Sequence, residues 1–461
     1  MGAARLTAER LARYDRPGPR YTSYPTALEF HEGFTAARYL EKLAEAAARP
    51  AAPLSLYVHL PFCAERCSFC GCNVIITRKR GVAAAYLDHL EREVELVAAR
   101  LGARRGVAQL HWGGGTPTYL TVAEMDRLWR VLTAHFRVLP GAEVAIEVDP
   151  RVTSGEQVDW LHAHGFQRVS MGVQDFDPAV QDAIGRYQTY EQTRTLFDRL
   201  RAIGTESINL DLVYGLPQQT AASFADTIDR TVALRPDRVA VYSYAFVPWV
   251  KAHQKAIRPE DLPPRERKLE LFGIAHERFL AAGYVQIGMD HFALPGDALA
   301  RAAATRTVHR NFMGYTTHPA DDSIGFGVSA IGEVGGAYAQ NTKKLTRYEE
   351  ALAAGVPPVE RGLERTADDL LRRDVIQALM CNFHVDVPAI ERAHGIDFAA
   401  TFADALAELD EGPVAHGFVR RTPAEIEVTE EGRLFVRNVC MAFDAYLRRH
   451  QDGAPRFSRT V

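Results

Sequence analysis

The stretch YVHLPFCAERCSFCGCN, residues 57–73, places four of the chain's six cysteines directly after an apolar run. The run is typical of a buried strand, so we expect the cysteines in the loop that follows it. Three of them, Cys63, Cys67 and Cys70, have the spacing C-x3-C-x2-C, and Cys72 comes two residues later. The stretch therefore predicts a metal site built from thiolates.

The spacing narrows the choice of metal. Thiolates are soft ligands that select zinc, Cu(I) or iron–sulfur clusters. A closed structural zinc site normally takes its ligands from two separated pairs, and no second pair of cysteines follows. The next histidine along the chain, His89, falls in a predicted helix. Three thiolates on one compact loop instead suit three corners of a [4Fe–4S] cube whose fourth iron stays open.

The composition is that of an ordinary globular chain, with 461 residues, 47% hydrophobic, 24% charged and a net charge of -4. This charge argues against a nucleic-acid partner, and no apolar run is long enough to span a membrane. The N-terminal stretch MGAARLTAERLARYDR, residues 1–16, lacks the apolar core of a signal peptide and is predicted to be a surface helix. We therefore expect a cytoplasmic protein without a disulfide framework. Cys381 and Cys440 lie in apolar helical contexts and are predicted to be small buried side chains.

Short apolar runs rich in β-branched and aromatic residues predict six buried strands. They cover residues 55–62, 107–113, 144–149, 168–176, 207–216 and 238–246. Helical segments lie between them, and capping-box pairs start two of these, Thr121 with Glu124 and Ser154 with Gln157. Gly165 and Gly204 stand where helices are expected to end. Six strand–helix units predict a parallel sheet with right-handed crossovers, and their number favours a full or partial barrel.

The chain divides into three predicted parts. Residues 1–50 form an N-terminal extension that contains the irregular stretch RPGPRYTSYPTALEF and covers the active site. Residues 51–345 hold the barrel, extended by a helix at 264–281 and a strand at 283–293. Residues 346–461 form a mainly helical domain, with helices at 365–382 and 398–412 and then a hairpin and helix like those of a winged helix. The acidic stretch within this domain argues against DNA binding.

With an aromatic residue, Phe69, before its third cysteine, the C-x3-C-x2-C loop resembles the signature of radical S-adenosylmethionine (SAM) enzymes. That resemblance implies an α/β fold, a partial (β/α)6 barrel of the TIM type, with one [4Fe–4S] cluster on Cys63, Cys67 and Cys70. It also implies that the open iron chelates the methionine moiety of SAM. One electron then cleaves the sulfonium and yields a 5′-deoxyadenosyl radical.

Further motifs along nearly the whole chain resemble the family of oxygen-independent coproporphyrinogen III oxidases. They are GPRYTSYPTA, HWGGGTPTYL, EVDPR, SMGVQDF, NLDLVYGLPQQT, GMDHFA, HRNFMGYTT and FSRTV. The resemblance implies oxidative decarboxylation of two propionates of coproporphyrinogen III to vinyl groups, giving protoporphyrinogen IX in haem biosynthesis. It further implies two bound SAM molecules and a reducing electron donor such as a flavodoxin or ferredoxin system. No assembly motif stands out, so a monomer is expected.

The resemblance also assigns residues to the two SAM molecules. Tyr57 and Phe69 contact the first molecule, with Phe69 holding its adenine, and Ile331 packs on the same adenine. Gly114, Gly115 and Thr116 receive the amino group of the first molecule, and the alternative for Gly115 and Thr116 is that they face the second. Glu147, Gln174 and Asp211 are polar groups in apolar strands, where burial is costly unless they are paired or functional. Structural hydrogen bonding is the alternative for each, but the resemblance makes them ligand contacts. For the second molecule it adds Arg186 and the backbone of Ala245.

Other positions bear on the substrate. Phe312 and Met313 are predicted to lie near it, although the family pattern has Gln where this chain has Met313, which puts a polar role there in doubt. Arginine pairs well with propionates, which makes Arg20 and the run 77–80 candidate contacts, the alternative being a solvated basic surface. Cys72 is expected near the site in an undefined catalytic role. As a fourth ligand it would block SAM, and only Gly71 separates it from Cys70.

Two other classes of function remain open from the residues alone. One is a related radical SAM protein, either a haem chaperone or a haem-degrading enzyme. The chaperone branch lacks a cysteine at the position of Cys72 and lacks the extension GPRYTSYPTA, both of which are present here. The other is a non-catalytic zinc or nucleic-acid-binding protein.

Overall fold

The computed structural model describes residues 13–449 and 457–460. Its strands are β1 (Leu54–Leu60), β2 (Phe62–Cys63), β3 (Ile75–Ile76), β4 (Gly106–Gly114), β5 (Arg137–Val148), β6 (Arg168–Gln174), β7 (Ser207–Tyr214), β8 (Arg238–Ser243), β9 (Val285–Ile287), β10 (His291–Ala293), β11 (His309–Asn311), β12 (Gly314–Thr316), β13 (Asp322–Phe326), β14 (Ile331–Val334), β15 (Ala337–Asn341), β16 (Val359–Glu364), β17 (His384–Asp386), β18 (Val419–Arg421) and β19 (Glu425–Val428).

The α-helices are α1 (Ala36–Ala47), α2 (Gly81–Leu101), α3 (Val122–His135), α4 (Gly155–Ala163), α5 (Pro178–Ile184), α6 (Tyr190–Ala202), α7 (Ala221–Leu234), α8 (Arg265–Ala281), α9 (Ala298–Ala304), α10 (Leu345–Ala353), α11 (Ala367–Asn382), α12 (Val387–His394), α13 (Phe398–Thr401), α14 (Ala403–Leu409), α15 (Val436–Met441) and α16 (Ala445–Arg449). Among the described helices, none combines the length and the apolar character that a membrane crossing requires.

The central sheet confirms the predicted parallel core. Its strand order is β16-β15-β14-β13-β1-β4-β5-β6-β7-β8-β10-β9, and β1, β4, β5, β6, β7 and β8 are the six predicted strands. Neighbours among these six pair in parallel, as helical crossovers require. The order has two free ends in the part of the chain that the structure describes, so the barrel is partial, as predicted.

Local signals in the sequence also hold. Both predicted capping boxes are present, at the starts of α3 and α4. Gly165 and Gly204 follow the ends of α4 and α6 with φ of 75° and 84°, a left-handed conformation that glycine adopts without strain. These signals act within one turn of chain, so they do not depend on tertiary packing.

Some strand bounds differ from the prediction. β5 begins at Arg137, because a bulge in its pairing with β4 absorbs the Pro140–Gly141 dipeptide that is typical of a turn. Residues 283–293 form a hairpin of β9 and β10 rather than one strand, and Gly288 in its turn has a φ of 52°. Beyond β1 the sheet continues through β13, a parallel neighbour whose sequence DSIGF is too polar and too short to stand out.

Two hydrophobic cores organise the molecule. The larger core joins the parallel strands and their helices, and α1 from the N-terminal segment packs into it through Tyr39 and Leu43. The second core lies among the C-terminal helices, buries Cys381 and Cys440 as predicted, and includes Tyr21 and Tyr24. The N-terminal segment therefore contacts both cores.

The C-terminal region is mainly helical, as expected. The predicted helix 365–382 is α11, whereas 398–412 is broken into α13, α14 and a π-helical turn at Asp410–Val414. The predicted hairpin is β18 with β19, and β17 joins it to make a three-stranded antiparallel sheet before α15. A surface helix predicted near the N-terminus falls largely outside the described residues, which begin at residue 13.

The two ends of the described chain pair with each other. Arg459 lies antiparallel to Pro17, and the Thr460 amide donates to the Arg16 carbonyl at 2.9 Å. The buried guanidinium of Arg437 donates to four carbonyl oxygens, those of Gly18, Pro19, Arg459 and Thr460. This paired segment is called the terminal clasp below, residues 14–18 with 458–460.

A buried ion pair ties the N-terminal helix to the sheet. Arg104 and Asp322 are both about fully buried, with 2.5 Å between Nη1 and Oδ2. Arg104 also donates to the carbonyl oxygens of Ala46 (3.0 Å) and Ala52 (2.9 Å). The pair therefore fixes the end of α1 against the start of β13.

Replacing Arg104 with Ala should lower the free energy of unfolding by about 3 kcal/mol, because Asp322 would keep only the half-exposed Arg49 (2.7 Å) as a countercharge. Urea unfolding followed by circular dichroism measures this. Arg100→Ala, an exposed cation at the end of α2, is the matched control and should change stability by less than about 0.5 kcal/mol. Equal effects of the two substitutions would show that the pair does not hold the sheet together.

Candidate active site

The cysteine loop leaves the sheet at the carboxyl end of β1 and is closed at its base. β2 and β3 pair in parallel, which brings Phe62 beside Ile75 and Cys63 beside Ile76. The Ile75 amide donates to the Pro61 carbonyl (2.7 Å). The position is the predicted one, at the end of the strands where barrels of this type carry out their chemistry.

A cavity of about 310 Å³ lies inside this loop. Twelve of the predicted residues line it, Cys63, Cys67, Phe69, Cys70, Cys72, Gly114, Gly115, Thr116, Glu147, Gln174, Arg186 and Asp211. They come from the ends of successive parallel strands and from the loops that follow. The fold thus gathers side chains that are up to 148 residues apart, the separation of Cys63 and Asp211.

The three thiols have polar neighbours that suit metal-bound thiolates. Thr116 Oγ1 lies 3.5 Å from Cys63 Sγ, Arg186 Nη1 lies 3.9 Å from Cys67 Sγ, and the Cys72 amide donates to Cys70 Sγ at 3.4 Å. Hydrogen bonds from Cys72 are the main cause that lowers the pKa of Cys70 to about 6. Burial raises the pKa of Cys63 to about 11, so that thiol needs a metal to lose its proton.

The arrangement fits a cube better than a single ion. Among the described residues, no group of three His, Cys, Asp or Glu side chains is placed to hold one metal ion. An iron–sulfur cube does not need such convergence, because each thiolate binds its own iron. Cys63, Cys67 and Cys70 on one cavity wall therefore fit three corners of a [4Fe–4S] cluster.

Two glycines let the end of β4 lie against the cysteine loop. The Gly115 amide donates to the Leu60 carbonyl and the Thr116 amide to the Phe62 carbonyl, each at 2.9 Å. A Cβ on Gly115 would come within 2.8 Å of the Pro61 and Phe62 carbonyl oxygens, and Gly114 has a φ of 123°. Larger residues would push the loop away, so the glycines fix the distance between strand end and thiols.

Two carboxylates face the cavity from the strands. Glu147 accepts from the Gly114 amide (3.0 Å) and lies 3.4 Å from His111 Nε2. Burial opposes its ionisation, but the hydrogen bond and charge of His111 bring its pKa below the ordinary value. Asp211 accepts from Asn209 (2.8 Å), and burial followed by the charge of Glu147 raises its pKa to about 6.

Arg186 and Gln174 border the same space. Arg186 donates to the Gly172 carbonyl (2.7 Å) and lies 3.2 Å from Asp149 Oδ2, while its buried Nε has no hydrogen-bond partner among the described residues. Gln174 has a φ of 71°, a conformation that is uncommon outside glycine and is often found at functional sites. Both residues therefore have features that fold stability alone does not explain.

Five predicted residues are outside the cavity lining. The Tyr57 hydroxyl lies 2.9 Å from His59 Nδ1 and its ring stacks on His111, while the Ala245 carbonyl accepts from Gln254 (3.2 Å). Phe312 and Ile331 pack against a small core around Phe30 and Tyr338. Met313 lines a second cavity of about 120 Å³ inside the sheet.

The candidate propionate contacts differ in position. Arg20 donates to the Ser243 carbonyl at the end of β8 (2.5 Å), which puts the N-terminal segment at the carboxyl edge of the sheet. Arg78 is exposed and pairs with Glu65 at 2.7 Å. Arg80 donates to the Tyr119 carbonyl, with its guanidinium carbon 4.6 Å from the centre of the Tyr119 ring.

Sequence reasoning missed several residues of the site. Asp149, Arg151 and Tyr242 also line the cavity. Three side chains that follow β8 form hydrogen bonds to carbonyl oxygens of the cysteine loop. Lys251 bonds to the carbonyl of Cys72 (3.1 Å), His253 to that of Cys70 (2.8 Å) and Gln254 to that of Phe69 (3.0 Å). Their stretch, VPWVKAHQKAIR, has no periodicity, and only its position after a sheet strand could have singled it out.

Comparison with known proteins agrees with this site. The profile of the Radical SAM superfamily matches residues 57–231, and that of the HemN C-terminal domain matches residues 366–435. The [4Fe–4S] cluster and SAM are characteristic of this superfamily.

Relatives match the chain from end to end. The oxygen-independent coproporphyrinogen III oxidase of Pseudomonas aeruginosa is 46% identical over 463 residues, covering 100% of both chains. The enzyme of the same name from Salmonella typhimurium is 48% identical over 98% of this chain and 97% of its own.

A solved structure agrees in fold as well. This structure is coproporphyrinogen III oxidase (HemN) from Escherichia coli, which is described as a radical SAM enzyme. It superposes on this chain with a TM-score of 0.89 and is 47% identical in sequence. The match covers 93% of this chain and 98% of the other. The chain therefore belongs to the oxygen-independent coproporphyrinogen III oxidases of the radical SAM superfamily.

Proposed function

We propose that this chain oxidatively decarboxylates two propionate side chains of coproporphyrinogen III to vinyl groups, giving protoporphyrinogen IX in haem biosynthesis. The observation that carries the proposal is the cavity in which three cysteines of one loop meet residues of five other strands, β4 to β8. End-to-end similarity to enzymes of this name supports the choice of substrate.

The three cysteines Cys63, Cys67 and Cys70 would hold the [4Fe–4S] cluster. When bound, the cluster supplies one electron that cleaves SAM to a 5′-deoxyadenosyl radical, which takes a hydrogen from the propionate. The chain's own part is to position the reactants and to keep water away from them. Arg186 beside Cys67 and Thr116 beside Cys63 supply N–H and O–H groups to the thiolates.

We assign the first SAM to Phe69 and the segment Gly114–Thr116, which line the cavity, and to Tyr57 and Ile331, which lie outside its lining. The position of Gly114, Gly115 and Thr116 in the cavity lining, beside the three cysteines, supports this assignment. Glu147 accepts from the Gly114 amide and is ionised, so it can accept hydrogen bonds from a cationic amino group or a hydroxyl.

A second SAM is proposed on Gln174, Arg186, Asp211 and the backbone of Ala245. The orphan Nε of Arg186 supports it, because a buried N–H group without a partner among the described residues suits a ligand acceptor. The raised pKa of Asp211 supports it as well, because the groups that donate to this carboxylate, Asn209 and Ser170, are neutral. Burial makes the ionisation of Asp211 costly, and a cationic ligand would offset that cost.

The N-terminal extension, proposed as residues 1–50, would cover the site above the barrel of residues 51–345, with the C-terminal domain at 346–461 behind it. Arg20 at the end of β8 supports this cover and is the better propionate candidate, since Arg78 is already paired at the surface. Phe312 and Met313 would lie near the substrate. We further propose a cytoplasmic monomer that receives electrons from a flavodoxin or ferredoxin system.

The cysteine assignment predicts two distinct phenotypes. Cys63→Ser, Cys67→Ser and Cys70→Ser should each lose the cluster, measured as iron and sulfide per chain after anaerobic purification. Cys72→Ser should keep the cluster and lose protoporphyrinogen formation from coproporphyrinogen III, SAM and dithionite. Cys381→Ala, a buried cysteine of the second core, is the control and should keep both.

Loss of the cluster in Cys72→Ser would make Cys72 a ligand. A colourless zinc protein, or an intact cluster without any protoporphyrinogen formation by the unsubstituted chain, would overturn the proposed function.

Asp211→Asn should stabilise the ligand-free chain above pH 6. The raised folded-state pKa, about 6 against 3.8, means that the folded state holds the proton more tightly. The unfolding free energy therefore falls as pH rises from about 4 to about 6, at a cost of about 3 kcal/mol above that window. The substitution should recover about 3 kcal/mol at pH 8 and about half of that at pH 5.

Urea unfolding at the two pH values measures this difference. Asp198→Asn, an exposed carboxylate on α6, is the control and should change little at either pH. A loss of stability at pH 8 in Asp211→Asn would show that the carboxylate is a structural anchor rather than a ligand group.

The cover depends on the terminal clasp. Deleting residues 457–461 removes the hydrogen bonds that residues 458–460 make to residues 14–18, and it leaves two N–H groups of buried Arg437 without their carbonyl partners. The hydrogen bonds from Asn438 to Tyr14 and from Arg437 to Gly18 remain. Trypsin cleavage after Arg20 should become roughly tenfold faster or more, and kcat/KM should fall at unchanged cluster content.

Arg459→Lys keeps the cation that lies beside Asp15 and is the matched control, with cleavage close to that of the unsubstituted chain. Unchanged cleavage in the deletion variant would show that the N-terminal segment stays in place without the clasp.

A further inference from the structure

Large apolar side chains are exposed around the outside of the cysteine loop. Nine large apolar residues of the described chain are exposed, and four of them, Val152, Tyr187, Trp249 and Val250, lie on segments beside this loop. Trp249 is 59% exposed and Val250 64% exposed, side by side in the chain. Adjacent residues of this size are costly to leave in water unless a partner covers them.

The segments that carry them touch the loop directly. Residues 251–254, which follow Trp249 and Val250, hold the carbonyl oxygens of Phe69, Cys70 and Cys72. On the other side, the Ser68 amide donates to the Ile184 carbonyl (2.8 Å), three residues before Tyr187. Trp249 and Val250 therefore lie in the chain within four residues of His253, which contacts the Cys70 carbonyl.

Cations surround the apolar residues. Arg66 lies between the two segments, with Nη1 3.4 Å from His253 Nδ1, and Lys251 and Lys255 follow Val250. None of these three cations pairs with a carboxylate of the described residues, and residues 247–258 contain no Asp or Glu. The chain as a whole has a net charge of -4, whereas the stretch 247–258 carries cations without acidic residues. Two carboxylates adjoin this stretch's neighbours, Glu65, which pairs with Arg78, and Asp182, which accepts from the Tyr187 hydroxyl.

We propose that Arg66, Tyr187, Trp249, Val250, Lys251 and Lys255 form the docking surface for a small acidic protein that donates one electron at a time to the cluster. The proposal rests on the proposed function, in which each cleavage of SAM consumes one electron. Protein interfaces commonly have an aromatic and aliphatic centre with a polar or charged rim, as this surface does. Interfaces between electron-transfer partners bury a small area, so a surface of six residues is large enough. Opposite charges would speed the encounter and set its orientation.

The step is a single electron transfer. A reduced flavin or iron–sulfur donor is oxidised by one electron, the oxidised cluster is reduced by one, and no bond or proton moves between the two proteins. The side chains of Lys251, His253 and Gln254 contact carbonyl oxygens of the cysteine loop. These contacts would keep the distance between the bound donor and Cys70 fixed during the transfer.

The test uses the anaerobically reconstituted holoenzyme and a flavodoxin as the acidic donor. Trp249→Ser should weaken flavodoxin binding by about tenfold, and Lys255→Glu by about threefold at low salt with a smaller effect at high salt. Cluster reduction by reduced flavodoxin, followed by stopped-flow absorbance, should slow in parallel. Reduction by dithionite, and turnover driven by dithionite, should stay unchanged.

The matched controls are Leu280→Ser and Arg100→Glu. Both residues are exposed near the ends of helices that lead back to the amino edge of the sheet, the edge opposite the cysteine loop, and neither should alter flavodoxin binding. A basic c-type cytochrome in place of flavodoxin should not bind measurably.

The outcomes separate the two proposals. Unchanged flavodoxin binding in Trp249→Ser and Lys255→Glu would overturn the docking surface, and so would an equal slowing with dithionite, which would assign these residues a role in loop structure. Binding and cluster reduction do not involve the porphyrinogen, so a failure of the proposed function appears instead as dithionite-reduced enzyme that forms no protoporphyrinogen.

Discussion

The contact between the end of β4 and the cysteine loop is the constraint on which the site depends. Two amide-to-carbonyl hydrogen bonds, from Gly115 to Leu60 and from Thr116 to Phe62, hold the loop against the sheet. The missing side chain of Gly115 is what permits that distance. This contact fixes the distance between two sets of groups in the cavity. The thiols belong to the cysteine loop, and the carboxylates of Glu147 and Asp211 belong to the strands of the sheet.

In a partial barrel, the carboxyl ends of neighbouring parallel strands surround one cavity, which here is the cavity inside the cysteine loop. Polar side chains at the ends of β5 and β7 point into the cavity, while apolar neighbours one residue away pack into the core. Alternation along a strand thus places ionisable groups beside the cluster without opening the core. Burial of these ionisable groups costs free energy, and the raised pKa of Asp211 reflects that cost. Stability is given up where a ligand is expected to restore it.

The sequence predicted the parts of the molecule that local patterns encode. Six apolar runs, two capping boxes and the cysteine spacing needed no tertiary information, and all appear where they were expected. It missed β13, whose short polar sequence becomes a strand only because β1 lies beside it. It also missed Lys251, His253 and Gln254, since their role depends on meeting carbonyl groups about 180 residues earlier in the chain. Long-range contacts of this kind have no signature in a single sequence.

The terminal clasp joins residues that are 444 apart in the chain. During synthesis on the ribosome, residues 14–18 leave the exit tunnel long before residues 458–460 exist. The barrel and its contacts with α1 and Arg20 can therefore form before residues 14–18 have their clasp partners. The clasp is thus a contact of very large sequence separation, and its formation comes after contacts that lie closer in the chain.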